Sequence, residues 1–333
     1  MKVSFCIPTY NRAEYLEPLI ESIANQLNHS LDIEICISDN ASTDGTDKMI
    51  TNWRKKFNIP IHYHRHHENI GPDRNFLSAV NMGTGDYCWI FGSDDILANE
   101  ALSSIQVLLS KGYDIYLCDR KEMDISMKVV RNPHRKWLLC DTSTFVINGD
   151  DELVNYFNHC QSIGGVFSYL SSIIVKRNRW NAIKFDESYV GTAYSHVYIL
   201  LRILNHKGTI LKYISSPLVL CRGDNDFFVS SGMAKRIKID FIGYLKLSND
   251  LYTESCSITQ ALHGVLLRER PWLYTSLAMA CYGNQEDKRH LLYYYEEMGY
   301  SKFLTEFIFL WGGLARYLKN SGKLKSFIRK IKL

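Results

Sequence analysis

Several features that would mark simple function classes are scarce or missing. The nine cysteines, at 6, 36, 88, 118, 140, 160, 221, 256 and 281, are odd in number and form no Cys-x-x-Cys pair. That pattern argues against a disulfide framework or a structural zinc site and favours reduced, buried thiols in the cytoplasm. No uninterrupted apolar run reaches 18 residues, and the apolar start Val3-Ser4-Phe5-Cys6-Ile7 is broken by Pro8. Neither a membrane-spanning helix nor a secretory signal is therefore expected. The charge balance, 39 Lys+Arg against 35 Asp+Glu, leaves only +4. This is too slight for wrapping nucleic acid, which is not an expected partner. Both glycine phosphate-cradling motifs, G-x-x-x-x-G-K-[ST] and G-x-G-x-x-G, are missing, so any nucleotide must be held another way.

What is present is a strand–helix alternation over the first 120 residues. Val3 to Ile7, Asp32 to Ser38, Ile61 to Arg65, Tyr87 to Phe91 and Asp114 to Leu117 read as strands. Helical spacing links Tyr15, Leu16, Leu19, Ile20 and Ile23, with Asn11 as the expected cap, and recurs over 46–57, 73–82 and 99–110. The pattern predicts an α/β fold with a mostly parallel sheet covered on both faces, whose ligands bind at the carboxyl ends of the strands. From 121 to 232 the alternation weakens, with strand-like 172–176, 209–214 and 218–221 and a helix over 194–205, but no linker interrupts it. From 233 to 333 the pattern is almost wholly helical, a C-terminal appendage to a domain spanning 1–232, in which 1–120 carry the regular alternation and 121–232 the weaker one.

Polar residues gather after three predicted strands: Pro8-Thr9-Tyr10-Asn11-Arg12, Asp39 to Gly45, and Gly92-Ser93-Asp94-Asp95. Loops at one edge of a parallel sheet converge, so these residues are expected to line one crevice. Adjacent carboxylates Asp94 and Asp95 repel unless a cation or hydrogen-bond donors offset them. A divalent ion bridging one of them to a diphosphate would do so; the alternative is that Ser93 or Asp94 caps a following helix. The histidines of His62-Tyr63-His64-Arg65-His66-His67 are better read as a solvated edge strand than as a metal site.

Phe5 to Arg12, Ile37 to Thr46, Asn69-Ile70-Gly71-Pro72-Asp73-Arg74-Asn75 and Gly92 to Asp95 resemble, in order, the motifs of the family 2 glycosyltransferases with the GT-A fold. Within that family the runs Leu31 to Gly45, Gly71 to Leu77 and Asp86 to Asp95 are most similar to the bacterial O-antigen abequosyltransferases, which move a 3,6-dideoxyhexose from a CDP-sugar. The resemblance implies a nucleotide-sugar donor bordered by Pro8, Thr9, Tyr10, Arg12, Asn40 and Ser93. It further implies Asp39 as acceptor of hydrogen bonds from the base, Arg74 at the base or diphosphate, Asp94 at the ribose, and Asp95 holding Mn²⁺ or Mg²⁺. The position of a further metal or phosphate contact holds Asp224, which serves either the cation or a Gly-Asp-Asn turn. Inverting members carry a Glu-Asp pair on the helix after a Phe-Asp-Glu-Ser-like segment; here Phe185-Asp186-Glu187-Ser188 is followed by Ser195-His196. His196 is either the catalytic base, an acceptor-sugar contact or a buried histidine, with Asp186 and Glu187 as fallback bases, and the stereochemical course stays open.

After Glu306 the sequence has no acidic residue but seven basic ones: Arg316, Lys319, Lys323, Lys325, Arg329, Lys330 and Lys332. Interleaved with Leu324, Phe327, Ile328 and Ile331, they form a basic amphipathic pattern suited either to an anionic membrane surface or to packing on the protein's own core. A polyprenyl-diphosphate-linked oligosaccharide acceptor makes a peripheral position at the inner face of the cytoplasmic membrane the expectation. Competing readings are a UDP- or dTDP-sugar transferase of the same fold, a nucleotidyltransferase, and a non-catalytic carbohydrate-binding protein.

Overall fold

We describe a computed structural model over residues 1–26, 31–133, 135–223 and 232–312. The chain forms two compact units, Met1–Asn225 and Asp226–Leu333. In the first, the order is β1 (Lys2–Thr9), α1 (Ala13–Ala24), β2 (Asp32–Asp39), α2 (Thr46–Lys56), β3 (Ile61–Arg65), α3 (Pro72–Asn81), β4 (Tyr87–Ile90), β5 (Ile96–Leu97) and α4 (Ala101–Leu109). There follow β6 (Ile115–Met123), β7 (Ser143–Ile147), α5 (Asp150–His159), β8 (Ile173–Lys176), α6 (Arg177–Asn181), α7 (Ser195–Leu204) and β9 (Thr209–Arg222). One sheet runs β3-β2-β1-β4-β8-β6-β9-β5, with β7 added to β9. The β3-β2-β1-β4 half is parallel throughout, and β8 is antiparallel to both its neighbours.

The two faces of the parallel half differ in chemistry because side chains alternate along a strand. Val3, Phe5 and Ile7 of β1 pair in register with Ile33, Ile35 and Ile37 of β2 and join Leu16, Leu19, Ile20, Ile50, Trp53 and Ile105 in an apolar layer under α1, α2 and α4. Of the intervening positions, Cys6 and Cys36 are buried thiols, while Ser4, Glu34 and Ser38 are buried and polar on the side of α3. Each of these three is satisfied there. Ser38 Oγ donates to Asn75 Oδ1 at 2.7 Å, and Glu34 accepts from Ser4 Oγ (2.6 Å) and from the Thr84 backbone N–H (2.6 Å) and pairs with Lys2 Nζ (2.5 Å). This explains the alternating character of Asp32 to Ser38 in a strand buried on both faces.

Residues 121–223 depart from the sequence reading in two places. The predicted strands 209–214 and 218–221 form the single strand β9, in which Pro217, which has no N–H, is accommodated at an irregularity opposite Asp119. Strand β7, not anticipated in the polar stretch after 121, extends this edge by antiparallel pairing with β9, and the equally unanticipated helix α5 follows it. Here Trp137 lies against Gly164, where an added Cβ would fall 2.1 Å from the ring, so only glycine fits. The buried Arg120 guanidinium stacks 3.3 Å from the centroid of that indole.

The second unit is helical: α8 (Met233–Leu251), α9 (Cys256–Glu269), α10 (Trp272–Tyr282), α11 (Gln285–Glu297) and α12 (Lys302–Leu310). Its core holds Phe241, Tyr244, Leu262, Leu266, Met279, Leu291 and Tyr295. The fully buried Asp240 is balanced by Arg270 at 2.6 Å, and α11 begins with a reciprocal Asn284–Asp287 capping box. No helix among the described residues is long and apolar enough to cross a membrane.

Burial alone would raise the Glu34 carboxyl, but its hydrogen bonds from Lys2, Ser4 and Thr84 outweigh this and hold it at about 2. Glu34→Gln is expected to lower stability at pH 7 by about 2 kcal/mol. The charged form is favoured on folding, so that contribution is complete above the ordinary value near 4.5 and is lost as pH falls toward 2. Urea titrations at pH 7 and pH 3 should find the gap between the two proteins narrowing at the lower pH.

Candidate functional site

Parallel register sets Thr9 opposite Asp39 and Cys6 opposite Ile90, so the segments after β1, β2 and β4 leave the sheet at one edge. Asn11 was expected to cap α1; the cap position is instead Arg12, with no side-chain cap. Asn11, at φ +49°, ties the first loop to the second, its N–H donating to Ser42 Oγ (2.9 Å) and its Oδ1 accepting from Thr43 N–H (2.8 Å). Asp44 Oδ2 accepts from Ala13 N–H at 2.8 Å and closes the same seam. Pro8 and Thr9 are the last residues of β1; Thr9 Oγ1 is buried without a partner, whereas Tyr10 is exposed. Asn40 bridges to the segment before α3, donating to Asn69 Oδ1 and accepting from Ile70 N–H, both at 2.8 Å.

Asp39 stands at the predicted strand end but is enclosed. Its Oδ1 accepts from Ser42 N–H at 2.9 Å and its Oδ2 from the Tyr63 phenol at 2.6 Å. The residue is fully buried, so a base reaching this carboxylate would first meet Tyr63. Arg65, one turn of the pleat further along β3, clasps the Ser42 carbonyl with Nη2 at 2.9 Å.

The Asp94–Asp95 pair divides its labour in the opposite sense to the sequence reading. Asp95 is turned inward: Oδ2 accepts from the hydroxyls of Tyr169 (2.6 Å) and Ser171, and Oδ1 from the Arg222 backbone N–H (3.1 Å). Burial, and next the charge of Asp94, push its carboxyl up to about 7 against those three donors. Both oxygens of Asp95, the expected metal ligand, accept from protein donors and the side chain is buried. Asp94 is the partly exposed member, and its Oδ2 meets Arg12 Nη1 at 2.7 Å. The helix-cap alternative also fails, since β5 follows and α4 begins only at Ala101. Ser93 is buried. Among the described residues no three His, Cys, Asp or Glu side chains cluster closely enough to hold an ion by themselves. A Mg²⁺ or Mn²⁺ completed by diphosphate oxygens and water needs only one or two carboxylates, and Asp94 suits that lesser demand. Asp224 lies outside the described residues.

His196 is a correction. It is buried on the first turn of α7, its Nε2 donates to the Phe167 carbonyl at 3.0 Å, and Nδ1 has no partner. Phe76 meets it edge-on, and burial pushes the imidazole down to about 4. A base must be reachable by the proton it takes, and this one is sealed in the core. The carboxylate near it is Asp73, from the first turn of α3, which accepts from Gly191 N–H (2.8 Å), Ala193 N–H (3.2 Å) and Ser195 Oγ (2.8 Å). The neighbouring Arg74 pairs at the surface with Glu187 at 2.8 Å, and Asp186 caps its own 3₁₀ turn through Ser188 N–H.

Sequence reasoning missed Tyr63, Tyr169, Ser171, Asp73 and Arg222 as parts of this site. Arg222 is the most connected: Nε donates to the Asp94 carbonyl (3.0 Å), Nη1 to that of Ile125 (2.6 Å), and the guanidinium lies 4.8 Å from the centre of the Tyr15 ring.

Residues 4–169 match the family model described as Glycosyl transferase family 2. Abequosyltransferase RfbV of Salmonella typhimurium is 56% identical over 331 residues, 99% of each chain. The GalNAc(5)-diNAcBac-PP-undecaprenol beta-1,3-glucosyltransferase of Campylobacter jejuni is 31% identical over 112 residues, 34% of this chain and 36% of that protein. Among solved structures, S. aureus TarS 1-349 in complex with UDP-GlcNAc superposes with a TM-score of 0.59 at 15% identity, covering 99% of this chain and 92% of TarS 1-349. The mannosyltransferase PcManGT of Pyrobaculum calidifontis, in complex with GDP-Man and Mn²⁺, gives 0.51 at 16% identity over 96% and 86%.

His196→Gln keeps a donor for the Phe167 carbonyl. It should leave turnover within about threefold, whereas losing a general base costs on the order of 100-fold or more. Because the buried imidazole resists protonation, the protein should lose stability as pH falls from near 6.5 toward 4. Melting curves at pH 7 and pH 5 should show the variant less sensitive over that interval.

Proposed function

The chain belongs to glycosyltransferase family 2, and on that premise we propose that it transfers abequose from a CDP-sugar to a mannose-containing, lipid-linked O-antigen unit. The observation that carries this reading is the 56% identity to an abequosyltransferase along 331 residues, through both units rather than the shared domain alone. The competing donors, UDP- and dTDP-sugars, belong to transferases of the same fold.

In this reading the donor lies across the ends of β1, β2 and β4. Tyr10 offers an exposed ring beside the strand end, and Thr9 Oγ1 a buried hydroxyl in need of a partner. Asp94 would hold a divalent cation that neutralises charge on the departing nucleoside diphosphate. Arg12 orients that carboxylate from 2.7 Å, while Asp95, anchored from three sides, fixes the loop that presents it. Transfer breaks the bond from the anomeric carbon to the diphosphate oxygen and forms one to the acceptor hydroxyl, whose proton must leave. The first turn of α7 carries no acid, and His196 is sequestered. Both facts support a front-face course in which the departing diphosphate oxygen takes that proton and the anomeric configuration is retained. We further read the basic C-terminal sequence, which lies outside the described residues, as drawing the enzyme to an anionic membrane surface where a lipid-linked acceptor resides.

Asp94→Ala should cut turnover by about 100-fold or more with little change in melting temperature. Asp95→Ala instead strands the Tyr169 and Ser171 hydroxyls and the Arg222 N–H, and is expected to destabilise the fold by about 2 kcal/mol or more. Equal stability of the two variants would refute this division of roles.

In a thermal-shift panel with Mn²⁺, CDP should raise the melting temperature above the shifts given by UDP, GDP and dTDP. Incubation with CDP-abequose and a lipid-linked mannose-containing acceptor should then yield a product heavier by one dideoxyhexose, its anomeric configuration read by NMR. A panel led by UDP would displace the CDP-sugar assignment.

A further inference from the structure

Helix α12 is apolar on both sides, and among the described residues only one side is covered. Thr305 is buried and accepts from Trp272 Nε1 at 2.9 Å, and Gly312 sits against the Ala280 carbonyl, so this side packs on α10. The opposite side exposes Phe303 at 74%, Leu304 at 52%, Phe307 at 51%, Leu310 at 83% and Trp311 at 53%. At 100° per residue these five fall within an arc of about 120°, with Lys302 and Glu306 at its border rather than inside it. Five large apolar side chains in one stripe, three of them aromatic, are far from the scattered apolar exposure of an ordinary soluble surface.

The charge of the chain that follows decides among occupants. Residues 313–333 contribute seven Lys or Arg and no Asp or Glu. A second copy docked on this stripe by a twofold axis would bring two such sequences together, and like charges oppose that contact. An anionic surface with an apolar interior satisfies both features, and Phe and Trp suit the depth between head groups and acyl chains.

We propose that the Phe303–Trp311 face of α12 is a membrane-insertion element that seats in the head-group boundary of an anionic bilayer. This rests on the reading of the basic C-terminal sequence as membrane-directed, and adds to it the apolar contact that electrostatic attraction alone does not supply. Stable interfacial binding generally needs two such signals.

The test uses the full chain and two vesicle types, phosphatidylethanolamine with one-quarter phosphatidylglycerol, and phosphatidylcholine alone. The expected result is co-sedimentation with the anionic vesicles and little with the neutral ones. The triple variant Phe303→Glu, Phe307→Glu, Leu310→Glu should weaken anionic binding at least about tenfold with an unchanged melting temperature, because the altered side chains are exposed. Brominated lipid should quench wild-type emission more than that of Trp311→Phe. Wild-type binding by the triple variant would overturn the proposal. So would a marked loss of its thermal stability, which would mean that the chain's own residues cover the stripe, or a wild-type dimer that the triple substitution dissolves. A second variant, Lys323→Gln, Lys325→Gln, Arg329→Gln, Lys330→Gln, separates the two readings. If it alone abolishes binding, the basic sequence suffices and α12 has no part; if the wild type binds neither vesicle, both readings fall.

Discussion

A carboxylate taken out of water must be met by donors, and at Asp95 those donors come from distant parts of the chain. Tyr169 and Ser171 precede β8, and Arg222 ends β9; their two hydroxyls and one backbone N–H converge on a single side chain after β4. The contact joins the end of a parallel strand to the mixed half of the sheet. It also leaves Asp94 as the member of the pair that faces outward, beside Arg12. On the reading proposed above, the inner carboxylate is structural and the outer one chemical, because three protein donors hold Asp95 inward while Asp94 stays partly exposed.

The same economy of polar contacts governs the α3 side of the sheet. Where the α1–α2–α4 face is aliphatic and aromatic, the α3 face is built from hydroxyls, amides and two acids that find one another. Ser38 with Asn75, Glu34 with Thr84, and Asp73 with Ser195 each join elements far apart in sequence. Such contacts are directional, so they fix α3 and the segment before α7 more narrowly than apolar packing would. His196 belongs to this layer, which is why it resembles a catalytic residue in sequence and behaves as a core residue in space.

The helical unit poses the reverse problem, an apolar surface that no described residue covers. Its described core does not include the outer stripe of α12, and the buried Asp240 is met by Arg270 at Oδ2 and by Arg236 at Oδ1. The role proposed for the stripe lies outside that unit. A transferase whose acceptor is held at a lipid surface gains from such a contact by searching in two dimensions.

Strand–helix alternation and the edge at which three polar loops converge were legible from the residues themselves, because hydrophobic period and turn chemistry are local properties; the four ordered motifs were legible through the family resemblance. The merging of 209–222 into one strand around Pro217 was not, since a bulge is set by the neighbouring strand rather than by the sequence that makes it. Asn11 looked like a helix cap because its spacing is right, yet the Ser42–Thr43 backbone, brought alongside by parallel pairing, offered it better partners. Likewise two adjacent aspartates are equivalent on paper. Which of them is buried, which titrates away from its usual range and which meets Arg12 depends on donors 74 to 127 positions away. Local pattern fixed the fold class and the neighbourhood of the site; long-range hydrogen bonding and desolvation, which no window of sequence contains, assigned the individual roles.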